Sequence, residues 1–251
     1  MVETVLRRSR RRAVVRVAAA AAEYAAMGWP VCIGAFSPSR SGRSGLPGRS
    51  GLPGRTGRPG RTARPGLAGR PERHDEMLRA CSCDRVGCPA PGAHPVSPTW
   101  QSQATADPVV VGNWWMAQPE ANVILVTGRV FDVLDVPANA GVAALARMER
   151  SAIRPGPVAI SGGNRALFFV TTRGTPADED EWWSCNLDCE PEMNPEVAGL
   201  RWHCRNSYVL APPSRDGNLI KAHWLRPPDD GPLPDGLRLL GFLADACEGT
   251  S

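Results

Sequence analysis

Two things are scarce in this chain of 251 residues. No window of roughly 18 apolar residues occurs, so the sequence offers no helical membrane span. Lysine is reduced to one residue, Lys221, and nearly all positive charge is therefore guanidinium. What is present, 42% hydrophobic and 22% charged residues, suits one globular domain with a core of moderate size and gives no reason for a second. The formal net charge of +4 is unevenly placed. Arg7, Arg8, Arg10, Arg11, Arg12 and Arg16 crowd the start, whereas residues 178–196 are acidic. A field polarised in this way fits an anionic partner such as nucleic acid, and equally fits solvated tails.

The opening Ser9-Arg10-Arg11-Arg12-Ala13-Val14-Val15 has the form of a twin-arginine export signal. Arg16 and Glu23 break its apolar run, and the chain continues through Trp29 and Val31 into a core strand. The expected location is cytoplasmic, with no membrane partner. Ala13 to Met27 is alanine-rich and is stopped by Gly28 and Pro30, which predicts a helix followed by a strand over 31–36. Gly45-Leu46-Pro47-Gly48-Arg49-Ser50 then repeats loosely as Gly51-Leu52-Pro53-Gly54-Arg55-Thr56. Such a unit cannot bury enough apolar area to offset its ordering entropy, so disorder is expected. The predicted organisation is residues 1–36 as basic helix and first strand, 37–73 as a Gly/Pro/Arg repeat insertion, and 74–251 as the rest of one domain.

Downstream, Asp107-Pro108 marks a helix start that ends before Pro119. Strands are expected over 122–127 and 131–136, joined by a tight hairpin-like connection at Gly128-Arg129. A helix over 140–150, strands over 158–161, 166–171 and 207–211, and a closing helix over 237–247 complete an α+β fold with helices packed on a sheet. With that helix so near the last residue, the expectation is a stand-alone domain with no helicase motor appended.

Eight cysteines in a reducing compartment point to metal before disulfides where spacing is close. Cys81, Cys83, Cys88 and His94 supply three thiolates and an imidazole in a proline- and glycine-threaded loop, 81–95, that has little apolar content of its own. Four such ligands suit tetrahedral, structural zinc; the plain alternative is a loop of free cysteines. Cys185, Cys189, His203 and Cys204 could in principle form a second metal cluster, but their spacing matches no known pattern, and scattered cysteines are more often small buried side chains.

Taken in order, Gly28-Trp29-Pro30-Val31, Cys81-Ser82-Cys83 through Pro91-Gly92-Ala93-His94-Pro95, Asp107-Pro108 before Trp114-Trp115, Asp132-Val133-Leu134-Asp135, Ser161-Gly162-Gly163 and Tyr208-Val209-Leu210-Ala211-Pro212-Pro213-Ser214 resemble the bifunctional DNA primase/polymerase domain of the archaeo-eukaryotic primase superfamily. The resemblance implies an RRM-like catalytic sheet and template-directed nucleotide addition in DNA replication. It also implies magnesium or manganese held by paired carboxylates when the site is active, because two ions must offset the charge of the attacking oxygen and the triphosphate.

An Asp-x-Asp pair places both carboxylates on one strand face. Here the pair is Asp135 and Pro137, and proline ligates nothing. Asp132 is three residues away, on the opposite face. The family's histidine after the glycine turn is matched to Ala166, and its later acid to the stretch Leu200-Arg201-Trp202. The expectation is a degenerate catalytic site with Asp135 and Asp132 as remnants. Substitute acids for an active enzyme would be Asp132, Asp188, Glu190 and Glu192. Ser161, Gly162, Gly163 and Arg165 are the candidate nucleotide-binding residues, through backbone N–H groups and a guanidinium; the alternative is a Gly-Gly hairpin with a surface arginine. Trp100, Trp114, Trp115, Trp182 and Trp183 can stack on bases, though core packing is their commoner use. The function expected is binding of nucleotide or nucleic acid with weak or no synthesis. The rivals are an active metal-dependent primase/polymerase and a regulatory module that contacts protein partners.

Overall fold

An interior strand of the larger sheet reads Phe-Asp-Val-Leu-Asp-Val-Pro, and its first six residues are all buried. A strand buried on both faces must be covered twice, and the rest of the chain supplies the two covers. A computed structural model describes residues 2–37, 81–83, 85, 87–172 and 199–249, with side chains from Ala13 onward. Its elements in order are α1 (Val2–Ala26), β1 (Val31–Gly34), α2 (Trp100–Gln103), α3 (Pro108–Ala117), β2 (Asn122–Val126), β3 (Phe131–Pro137), α4 (Ala138–Arg150), β4 (Val158–Ser161), β5 (Arg165–Thr171), β6 (Arg201–His203), β7 (Tyr208–Leu210), β8 (His223–Arg226) and α5 (Gly236–Glu248).

Two antiparallel sheets result, one of order β1-β2-β7 and one of order β6-β3-β5-β4-β8. Strand alternation divides the residues of β3 between two clusters. Leu134 and Val136 pack with Ala166 and Phe168 under α4 and α5. Phe131 and Val133 pack with Leu167 and Phe169, with Val31, Val123, Leu125 and Val209 of the smaller sheet, and with α1 and α3. Trp29 anchors this second cluster, its ring 4.7 Å from Phe131 and 5.2 Å from Phe169. Burying side chains of this size stabilises the fold by about 1.5–3 kcal/mol each.

The α+β class holds, and the expected strands and helices are present with small shifts in their ends, except that α1 begins at Val2 where a start at Ala13 was expected. The Asp107 carboxylate caps α3, accepting from the N–H groups of Val109 at 2.8 Å and Val110 at 3.4 Å. The predicted hairpin at Gly128-Arg129 does not form: β2 and β3 belong to different sheets. Gly128 has φ 78° and lies so close to the next connection that a Cβ there would be 2.2 Å from Arg205 Cα. The chain uses this glycine to leave one sheet and enter the other. Short elements α2, β6 and β8 were not anticipated.

The repeat segment falls outside the described residues apart from Ser37. At its edges the chain is closed: the Ser82 N–H donates to Phe36 O at 2.9 Å, and the Phe36 N–H donates to Ser82 Oγ at 3.0 Å. Among the described residues no helix is long and apolar enough to cross a membrane.

Candidate metal loop and the Asp135 face

The ligand atoms of Cys81, Cys83, Cys88 and His94 lie within 4.8 Å of one another, so the four side chains could hold a metal ion. His94 Nε2 is 3.4 Å from both Cys81 Sγ and Cys88 Sγ. Its other nitrogen, Nδ1, is 2.7 Å from Pro95 O. A carbonyl can only accept, so Nδ1 carries the proton and the Nε2 lone pair faces the thiols, the arrangement in which metal-binding histidines are usually held. The six described cysteines are unbridged. Burial acts to raise the Cys83 thiol, but the Arg85 backbone and the neighbouring ligands bring it down to about 7, while burial pushes Cys88 up to about 11.

The loop is docked on the smaller sheet through a side chain that the sequence reading passed over. Asn122, at the start of β2, is 5% exposed. Its amide NH2 shares two hydrogens among Ala35 O at 2.9 Å, Gly92 O at 2.7 Å and Arg215 O at 2.6 Å, and its Oδ1 accepts the Arg215 N–H at 3.1 Å. Nearby, Ser214 Oγ accepts from the Val123 N–H at 2.8 Å, fixing the chain just after Pro212-Pro213.

On the larger sheet, Asp135 is buried and its carboxylate is engaged twice. Arg165 Nε donates to Oδ1 at 2.7 Å, and His203 Nε2 lies 3.3 Å from Oδ2. Arg165 also donates to the carbonyls of Asp135 and Gly199, both at 3.0 Å, while His203 Nδ1 pairs with Ser207 Oγ at 2.9 Å. Burial would raise the Asp135 carboxyl, but the hydrogen bond and charge of His203, followed by those of Arg165, outweigh it and hold the group below the ordinary carboxylate range. Arg201 lies directly across from Asp135 in the β3–β6 register.

Asp132 is on the other face, where Trp202 Nε1–H donates to its Oδ2 at 3.3 Å. Asp132 and Asp135 are the only acids on the five strands of this sheet. Pro137 serves as the N-cap residue of α4 and offers no side-chain hydrogen bond. The matching of Ala166 to the site needs correction. Ala166 packs under α4, so close that a Cβ on Gly141 would be 2.3 Å from its own. Alternation along β5 places Arg165, not Ala166, on the face of Asp135.

Ser161, Gly162 and Gly163 turn β4 into β5, with φ 58° at Gly162 and 71° at Gly163. The turn's Asn164 carbonyl accepts the N–H of Ala138 at 2.8 Å, joining it to the start of α4. Arg165, expected to reach outward from this turn, is instead directed at Asp135. Of the tryptophans, Trp115 is core and donates to Ala121 O at 3.0 Å; Trp114 packs partly against the same cluster, and Trp100 meets Tyr208 edge-on at 5.2 Å. Trp182, Trp183, Cys185, Asp188, Cys189, Glu190 and Glu192 lie outside the described residues. His203 was read as a loose metal candidate; on β6 it shares a face with Arg201, which a run of three residues does not announce in sequence.

Two antiparallel sheets with helices and a loop of three cysteines and a histidine define an α+β protein with a potential metal centre. The family of the bifunctional DNA primase/polymerase, N-terminal, matches residues 21–235, and the chain belongs to this family. No curated protein matches it.

Proposed function

We propose that this primase/polymerase-family domain binds nucleotide or nucleic acid on an RRM-like sheet without efficient nucleotidyl transfer, and that its Cys81, Cys83, Cys88, His94 loop holds a structural zinc. The observation that carries the reading is the state of Asp135. Two-metal transfer needs several carboxylates converging on one face. On this face Asp135 meets Arg165 and His203, proline stands two residues on, and arginine stands across. Cations occupy the surroundings that a metal pair would need to be anionic.

Such a site suits recognition of phosphate more than its transfer. The Ser161-Gly162-Gly163 turn has backbone N–H groups at a bend that only glycine adopts freely, and it lies beside the start of α4. Three thiolates with one imidazole favour zinc over harder ions, and a fully protein-ligated tetrahedron is a structural rather than catalytic type. Residues 37–73 are read as an insertion into one domain formed by 1–36 and 74–251.

The test is primer extension and de novo synthesis with magnesium or manganese, alongside nucleotide and single-strand DNA binding and metal analysis. The expected result is measurable binding, one zinc per chain and negligible incorporation. Robust incorporation that is lost in Asp135→Ala overturns the reading in favour of an enzyme. Absence of any affinity for nucleotides or DNA at modest salt would instead favour a protein-contact module.

A further inference from the structure

The loop 214–222 is pressed between the two candidate sites. On one side it meets the metal loop: a Cβ on Gly92 would be 3.1 Å from Arg215 O, and one on Gly217 would be 2.7 Å from Pro91 Cβ. Asn122 bonds the two loops together through Gly92 O and Arg215 O. Gly92 is in turn tied to a ligand, its N–H donating to Cys81 Sγ at 3.5 Å. On the other side the loop meets the glycine turn, where a Cβ on Gly163 would be 3.1 Å from two carbons of Ile220, and one on Gly162 would be 3.7 Å from Asp216 Oδ2.

Between these contacts the loop is internally braced. Asp216 Oδ1 accepts the N–H groups of Asn218 at 2.9 Å and Ile220 at 2.8 Å, the Asp216 N–H donates to Ile220 O at 3.2 Å, and Arg215 bridges to Lys221. A displacement at Arg215 therefore moves Ile220 with it. The metal loop has little apolar content of its own, so an ion held by its four ligands would add to the hydrogen bonds that fix its geometry.

We infer that metal occupancy of the Cys81, Cys83, Cys88, His94 loop sets the position of the Ser161–Gly163 turn, with Asn122 as the joint and Ile220 as the contact that transmits it. This rests on the nucleotide-binding reading of that turn, which the ion would regulate from a site that touches no ligand.

Amide hydrogen exchange on the full chain tests it, with the protein zinc-loaded, stripped by a chelator, and reloaded with cobalt(II), whose absorption reports the ligand set. Removal of the ion should speed exchange at least about tenfold over residues 81–95, 214–222 and 161–165, with α5 unchanged, and reloading should reverse this. In Ile220→Ala, an exposed position that does not threaten folding, stripping should still loosen 214–222 but no longer affect 161–165. Change confined to 81–95, or spread equally to α5, overturns the inference, as does Ile220→Ala behaving like the parent. dATP affinity should fall severalfold on stripping. If dATP does not bind even the zinc-loaded chain, the nucleotide reading fails while the exchange result still decides the coupling.

Discussion

Asp135 is held by two basic partners in a place with little water, and removing the charge strands them. Breaking a buried pair from one side typically costs about 3–5 kcal/mol, and Arg165 is partly exposed, so Asp135→Asn should lose roughly 3 kcal/mol in denaturant unfolding. The sign of the pH effect follows from the lowered carboxyl. A group whose folded pKa lies below its unfolded value, about 3.9, contributes stability that is fully present above that value and disappears as pH falls through the lower folded one. Thermal unfolding across roughly pH 2–6 should therefore show the parent converging on Asp135→Asn in acid; parallel curves would mean the ion pair contributes nothing. At this scale the sequence was legible where chemistry is local. Four potential metal ligands within fourteen positions announce themselves, and Asp135 with Pro137 can be read from one strand. Arg165 and His203 could not be read in the same way, because their meeting depends on the register of three strands. The misplacement of Ala166 by one residue is the error that a period of two punishes most, since a single step reverses the face.

Helices and strands were legible from period and capping: Asp107 starts α3 as its side chain requires, and α4 and α5 carry their apolar residues on one side. Pairing was not. Two apolar runs separated by a glycine look like a hairpin whether they join each other or part, and only the partners they take, β1 and β7 for one and β5 and β6 for the other, show that they part. Strands β6 and β8 have three and four residues, too few to show a period. Packing between elements makes a contrast of two helical glycines. Gly141→Ala forces a methyl against Ala166 and should cost about 1–3 kcal/mol. Gly112→Ala in α3 meets nothing within 4 Å and should gain up to about 1 kcal/mol from helix propensity. Melting temperatures moving in opposite directions would bear this out; two shifts of the same sign would not.

At the scale of the molecule, the family's domain sets Arg165, His203 and Arg201 around the one carboxylate of Asp135 on the larger sheet, while its bracing lies on the smaller one. The metal loop, the Asn122 joint and the chain after Pro212-Pro213 brace the smaller sheet, and none of this bracing depends on chemistry at Asp135.

The mutual bonds of Phe36 and Ser82 carry a different kind of consequence. The described chain leaves at Ser37 and resumes at Cys81, so the two ends of the intervening segment meet at one doorway. Closing a loop grows more costly only with the logarithm of its length, each doubling adding about 0.6 kcal/mol. Replacing residues 38–80 by a short Gly/Ser link should thus leave the unfolding midpoint at or slightly above that of the parent, and a cooperative transition lost on this exchange would show the segment to be part of the core. If the midpoint holds, the doorway is a socket: a site where a tag, a reporter or a second binding module can be mounted without the sheets registering it.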